Sequence, residues 1–414
     1  MEPLLLLSGG LDPFSPYMLI IEASVIIVLS HLYGKLAEKT NIPSVLLLIL
    51  TGILIKLGLE YLHIGQVDLM PVLEILGIVG LIMIVLEAAL DLKLTKEKLP
   101  LIGRSVLIAL LCLIGSVFAL AGILQYFIQM NFAQALLYAT PLSIMSSAII
   151  IPSVNKLTAS KREFMIYEST FSDILGIMLF YFIISFIESG GSEASVQFAS
   201  SFILTLLVAV VASYVLIFLF KDVKGHTRLF LLIAILLILY AAGKLFHLSP
   251  LLIILVFGLA LSNHHRFFKI FKNELSDEDP IAEIEKEFHL ITLETAFLVR
   301  TFFFVIFGMT IALSSLVNVD VFIISALVLV ALYAVRFIAL KLFLKEGILP
   351  ELYIAPRGLI TILLFFAIPA SLEVESFDPG ILLYVILISS VIMTVSLIKD
   401  HKRQKAAVET HPQN

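Results

Sequence analysis

Apolar runs of about 18 residues or more follow one another from Tyr17 to Ile398, each long enough to cross a hydrocarbon core of roughly 30 Å. A large soluble core would demand polar faces at the helical period, and these runs have none. Charged residues make up 14% of the chain and apolar residues 60%, where a soluble domain carries about a quarter charged. The fold class that follows is an all-α polytopic membrane protein with about 13 transmembrane helices. Cys112 is the only cysteine and lies inside an apolar run, which excludes disulfides and cysteine-rich metal sites. No nucleic-acid patch or nucleotide-binding loop is present, and no cofactor is expected. No basic segment precedes the first apolar stretch, so a cleaved signal peptide is not expected.

Turn residues and charges divide the chain into spans at 17–36, 43–61, 71–91, 101–128, 132–154, 163–187, 196–219, 228–246, 249–263, 289–313, 319–341, 353–371 and 381–398. Several begin at a proline, such as Pro43, Pro71 and Pro250, as a helix N-terminus allows. Most of the 27 lysines and arginines lie at the ends of odd-numbered spans, for example Lys156, Lys161 and Arg162. The even-numbered ends hold only Lys56 and Lys244. By the positive-inside rule this puts the N-terminal segment 1–16 outside and the tail 399–414 in the cytosol, in the plasma or inner membrane of the cell. The segment 264–288, with Asp277, Glu278 and Asp279, reads as a solvated cytosolic linker.

Ionisable groups at membrane depth cost at least ~2.5–3.5 kcal/mol each, so they are usually paired and often functional. Glu87, Glu168, Asp173, Glu294, Arg300, Arg336 and Arg357 are the candidates. Asp173 lies eleven residues beyond Arg162, about 16 Å into the membrane and near its midplane. A carboxylate there is pushed toward protonation by its low-dielectric surroundings, and a dehydrated monovalent cation favours its ionised form. Competition of proton and cation for the same oxygens is the minimal chemistry of an exchanger. The alternative is a structural aspartate bonded to hydroxyls or an arginine. Glu168 is shallower and reads as a strut if Arg336 faces it, because a satisfied pair need not titrate. For Glu87 and Arg300, lining a pore and neutralising each other are both open. Glu294 and Arg357 fall nearer the cytosolic span ends, where snorkelling is cheap.

Two spans are interrupted in sequence. The fifth carries Thr140-Pro141-Leu142-Ser143 and Ser146-Ser147, with Pro152 beyond; the twelfth opens on Pro356-Arg357-Gly358 and later has Pro369. Broken helices are tolerated only where the freed backbone lines protein or a cavity. Seven spans apart, these two run in opposite directions, as inverted repeats of secondary transporters require. The related triplets would be spans 4–6 and 11–13.

The motifs resemble those of the monovalent cation:proton antiporter superfamily, in particular its sodium/hydrogen exchanger branch. Glu168-Ser169-Thr170-Phe171-Ser172-Asp173 resembles the branch's E-S-x-x-N-D signature, and Leu86-Glu87-Ala88-Ala89-Leu90 its F-E-x-G-L stretch. Ala334-Val335-Arg336 and Pro356-Arg357-Gly358 are similar to its A-R and L-R-G motifs. The resemblance implies a homodimer in membrane lipid, with Na⁺ or K⁺ and H⁺ as the transported partners. It implies scaffold helices over 17–91 and 228–313, core helices over 101–187 and 319–398, and a linking helix at 196–219. It makes Asp173 the monovalent-cation and proton site, with Ser169, Ser146 and Ser147 nearby and Glu87 a water-linked neighbour. Glu168 and Arg336 become the structural ion pair, and Arg300, Arg357 and Ser172 gating or charge-neutralising residues. Ser172 stands where the branch has Asn, and Ser146-Ser147 where it has T-D, a missing crossover acid that relaxes the choice between Na⁺ and K⁺; one essential carboxylate in place of two adjacent aspartates favours electroneutral exchange. An organic-anion carrier using Arg300 or Arg336 is the competing transporter class. An intramembrane enzyme is disfavoured for want of any catalytic motif, and a passive channel because paired midplane charges suit alternating occupancy better.

Overall fold

The computed structural model describes residues 16–40, 42–62, 69–92, 95–188, 200, 203–215, 228–245, 250–264, 280–310, 317–344 and 347–410. Among them the regular elements are all helical. In chain order they are α1 Pro16–Thr40, α2 Ser44–Tyr61, α3 Met70–Asp91, α4 Leu99–Ile128, α5 Phe132–Ser143, α6 Ser147–Ser153 and α7 Ala159–Glu188. There follow α8 Ile203–Val215, α9 Arg228–Leu245, α10 Pro250–Ser262, α11 Pro280–Thr310, α12 Val319–Phe343, α13 Leu359–Phe366 and α14 Gly380–Thr410. Nine stretches among the described residues are long and apolar enough to cross a membrane, α5 and α6 together counting as one, and three shorter apolar helices accompany them.

Local chemistry sets the helix ends. Pro71 and Pro100 occupy first-turn positions of α3 and α4, where a missing N–H costs nothing. Asn131 caps α5 by accepting from the Gln134 amide at 2.8 Å, and Gln129 closes α4 in the left-handed region at φ 59°, a common helix stop. Two boundaries differ from the sequence reading. The helix expected from 289 starts at Pro280, because proline opens a helix and Ala282–Lys286 propagate it, so the end of the expected cytosolic linker is helical. The last helix likewise runs past 398 to Thr410. Lys93, Lys345 and the acidic Asp277-Glu278-Asp279 lie outside the described residues.

The helices pack as two groups. In one, α11 lies against α1, α2 and α3, and α10 against α3, α9 and α11. The α2–α11 contact is backbone to backbone: a Cβ on Gly52 would fall on the Val305 carbonyl, and one on Gly308 on the Ile49 carbonyl. In the other group α4 packs on α5, α7 and α12, while α12 packs on α14. The groups meet where α3 touches α7 and α13.

Both interrupted spans are broken. The fifth ends its first helix at Ser143, passes extended through Ile144 and Ser146, and restarts as α6. Pro141, lacking an N–H, weakens the preceding turn. In the twelfth, only Leu359–Phe366 is α-helical, after a 3₁₀ turn at Glu351–Tyr353 and an extended stretch through Gly358. The helix expected over 353–371 is therefore a single short one. Proline at 356 biases Ala355 away from helix, and Gly358 allows the two breaks to touch. A Cβ there would lie 2.6 Å from Ser146 Oγ and 2.8 Å from Ile149 Cδ1.

Candidate functional site

The freed backbone of the first break is satisfied by three different partners. Met145 N donates to Ser172 Oγ at 3.0 Å, Ser146 N to the Pro356 carbonyl at 2.9 Å, and Ser147 N to Asp173 Oδ2 at 3.3 Å. Buried amides need such partners, so α7 and the second break together hold the first one open. Glu168, Ser169, Thr170, Ser172 and Asp173 are all buried on α7. Spacings of three and four keep Ser169, Ser172 and Asp173 near one face. Asp173 Oδ1 and Ser146 Oγ are buried and make no hydrogen bond. Ser169 Oγ is turned to the Ile166 carbonyl at 3.2 Å.

Glu168 and Arg336 form a two-pronged pair. Arg336 Nη1 donates to Glu168 Oε1 at 2.6 Å and Nη2 to Oε2 at 2.9 Å. Arg336 Nε and Nη2 donate to the Glu351 carbonyl at 3.1 and 2.9 Å, and Nη1 reaches Met145 Sδ at 3.1 Å. Fork-to-fork geometry of this kind is the strong form of a charge-assisted bond.

Arg357 does not snorkel. It is 4% exposed, and its guanidinium donates to three carbonyls: Leu142 at 2.9 Å, Ser143 at 3.2 Å and Ala355 at 2.6 Å. The Leu142 and Ser143 carbonyls end α5, where helix carbonyls lack partners and the dipole is negative. The break, not the membrane edge, decides where this cation goes. Its own amide donates to Ser389 Oγ at 3.0 Å. Glu294 is exposed on α11, away from this cluster.

Glu87 on α3 and Arg300 on α11 meet at 3.4 Å. They also line a cavity of about 250 Å³ with Ser147, Ala148, Pro152, Asn155 and Leu293. The pair is an ion pair set in the wall of that cavity. Ser147 joins that space to Asp173, since its side of α6 faces the cavity and its amide bonds the carboxylate. The lining residues come from α3, α6 and α11 and from Asn155 just beyond α6.

Four contacts were not legible in the sequence. Glu351 accepts from Lys161 Nζ at 2.9 Å, and that ammonium also donates to the Leu349 carbonyl at 2.5 Å. His289 meets Asp91 at 3.0 Å, one turn from Glu87. The Val374 amide donates to Tyr138 Oη at 2.8 Å on the far side of the second break. Lys161 and Glu351 are 190 residues apart in sequence, and only the weak signal of an acid beside Leu349-Pro350 marked the turn.

Two broken helices crossing above a buried carboxylate, beside a cavity between two helix groups, define a multi-pass membrane carrier. The chain belongs to the sodium/hydrogen exchanger family: the sequence model of its transmembrane region matches residues 24–398. It is a transporter and not an enzyme. Among solved structures it is similar to the sodium proton antiporter MjNhaP1 from Methanocaldococcus jannaschii at pH 8, with a TM-score of 0.68 and 21% identity over 94% of this chain and all of that one. An electron-microscopy structure of the same antiporter gives a TM-score of 0.64 and 19% identity, covering 94% of this chain and 96% of that one. At that identity the likeness is one of fold. No curated protein sequence matches the chain.

Proposed function

We propose that this antiporter exchanges Na⁺ for H⁺, one for one, by alternating access, with both ions competing for Asp173. The observation that carries the reading is the half-satisfied Asp173 carboxylate. One oxygen accepts from the α6 amide; the other, like the adjacent Ser146 hydroxyl, is buried without a partner. A dehydrated cation or a proton can occupy the carboxylate, but only one of them at a time. Ser147 and Glu87 provide the approach, Ser169 an adjoining hydroxyl, and the Glu168–Arg336 pair a fixed frame. Arg357 and Ser172 keep the first break open, while Arg300 offsets the charge of Glu87. Helices over 17–91 and 228–313 serve as the fixed, dimer-forming scaffold. Those over 101–187 and 319–398 move against them, linked through 196–219. The two packing groups and their sparse contact through α3 support this division. On the positive-inside rule the end of α6 nearest Lys156 is cytosolic, and the protein faces inward in the cell membrane.

Dye-monitored proton flux in proteoliposomes, with Na⁺, Li⁺ and K⁺ compared, tests the reading. Mass action predicts that the apparent KM for the cation rises as pH falls, by up to about tenfold per unit once the carboxyl is largely protonated. A KM independent of pH would sink the competition. The hydroxyl pair Ser146-Ser147 at the break favours one second reading, K⁺/H⁺ exchange, which predicts K⁺ flux at least equal to Na⁺ flux in the same assay.

A further inference from the structure

Hydroxyls inside helices of this protein have a regular habit. Thr51, Thr140, Ser143, Thr301, Ser325 and Thr394 each donate to the carbonyl four residues back, at 2.7–2.8 Å. That habit is general for serine and threonine in mid-helix, because it satisfies the hydroxyl at no distance from its own backbone. Thr170 breaks it. Its side chain is fully buried, at 0% exposure, and its Oγ1 makes no hydrogen bond. The carbonyl it would ordinarily use, that of Ile166, accepts from Ser169 Oγ instead. A buried hydroxyl left without a partner costs about 1–3 kcal/mol.

The place of Thr170 on α7 gives that hydroxyl a use. It lies three residues before Asp173, so the two Cβ atoms are about 5–6 Å apart along one face, a span that one cation bridges between two side-chain oxygens. Going round the helix at about 100° per residue, Thr170 is roughly 60° from Asp173. Tyr167 and Ile174 lie further round, in a cluster with Leu92 at the end of α3, Leu259 of α10 and Leu101, Ile102 and Val106 of α4. Thr170 therefore stands between the side of α7 that meets α6 and the side that meets α3, the two helices that wall the cavity holding Glu87 and Ser147.

We infer that Thr170 Oγ1 is a further ligand of the monovalent cation held at Asp173, completing a set with Asp173 Oδ1 and Ser146 Oγ. The inference rests on the reading of Asp173 as the exchange carboxylate. Hard cations take oxygen ligands in number, and a neutral hydroxyl adds one without adding charge, which suits a site that carries one proton or one univalent ion in turn. A proton needs only the carboxylate, so Thr170 weighs on cation binding and not on protonation.

Proteoliposome exchange with Thr170→Val, an isosteric loss of the hydroxyl, tests this, with Thr170→Ser as the restoring variant and Asp173→Asn alongside. Thr170→Ala replaces the valine variant if that one does not fold. The expected result is an apparent KM for Na⁺ raised about three- to tenfold, equivalent to about 0.7–1.4 kcal/mol of lost cation binding. The maximal rate should stay within about twofold, and serine should restore KM. An unchanged KM in Thr170→Val, with Asp173→Asn inactive, overturns the role of Thr170 and leaves Asp173 standing. A lowered melting temperature with unaltered KM also overturns it, because that is the signature of a merely structural hydroxyl. Full exchange in Asp173→Asn removes the site itself.

Discussion

Glu168 and Asp173 lie on one helix, five residues apart, both buried, yet they have opposite surroundings. Glu168 has both oxygens on the Arg336 fork, and that arginine is in turn braced by the Glu351 carbonyl. Asp173 has no basic partner: Ser147 alone serves it, through its amide on Oδ2 and its side chain, and Oδ1 has no hydrogen bond. A buried carboxylate with a cation already beside it has no reason to change protonation state. A buried carboxylate without one must acquire a proton or a mobile cation. On the proposed reading, the contrast separates frame from site within a turn and a half of helix.

The largest expected effect tests the site half of that contrast. Asp173→Asn should reduce exchange by at least about a hundredfold, a loss of roughly 2.7 kcal/mol or more in transition-state terms, while the melting temperature in detergent stays near the parent value. Retained exchange would erase the distinction. On the frame half, Arg336→Ala leaves Glu168 as an unpaired buried charge and should cost about 3–5 kcal/mol of stability. Replacing Glu168 and Arg336 together with leucine and methionine should cost much less; equal melting temperatures for the single and double variants would argue against a pair.

Smaller effects sharpen the setting of the contrast. Gly358→Ala drives a methyl group toward Ser146 Oγ and Ile149, and overpacking of this kind costs about 1–3 kcal/mol. Because Ser146 precedes Ser147, whose amide bonds Asp173, cation KM should rise along with the loss of stability; a change in stability alone would separate Ser146 from the site. Last comes the Lys161–Glu351 pair, whose lysine side chain is 31% exposed and glutamate 6%. Either single neutralisation should lower stability by about 1 kcal/mol, and the charge-reversed double variant should recover most of it. Absence of recovery in thermal unfolding would assign the loss to packing.

Much of the fold was legible because the bilayer imposes length and polarity on every span. The apolar runs located most of the helices, though not the start at Pro280 or the end at Thr410, and Pro141 with its hydroxyl neighbours located the first break. The break in the twelfth span was visible at Pro356-Arg357-Gly358, but its extent was not, since the extended stretch persists only because Ser146 and Ser389 take up its backbone groups. The surroundings of Arg357 were hidden for the same reason: the carbonyls that attract it exist only once α5 has stopped. Glu351 drew no notice because its partner Lys161 and the arginine beside its carbonyl come from distant parts of the chain.

The sequence by itself determined a helical membrane protein, the order of its spans and the chemical identity of the groups at membrane depth. Hydropathy, proline and charge act locally, or through a solvent that is the same for every residue. Tertiary structure alone decided which of two buried carboxylates would be neutralised and which would be left incomplete. That choice depends on whether an arginine from 168 residues away in the chain comes within hydrogen-bonding reach, and a bond of that length is set by packing, not by any pattern along the chain.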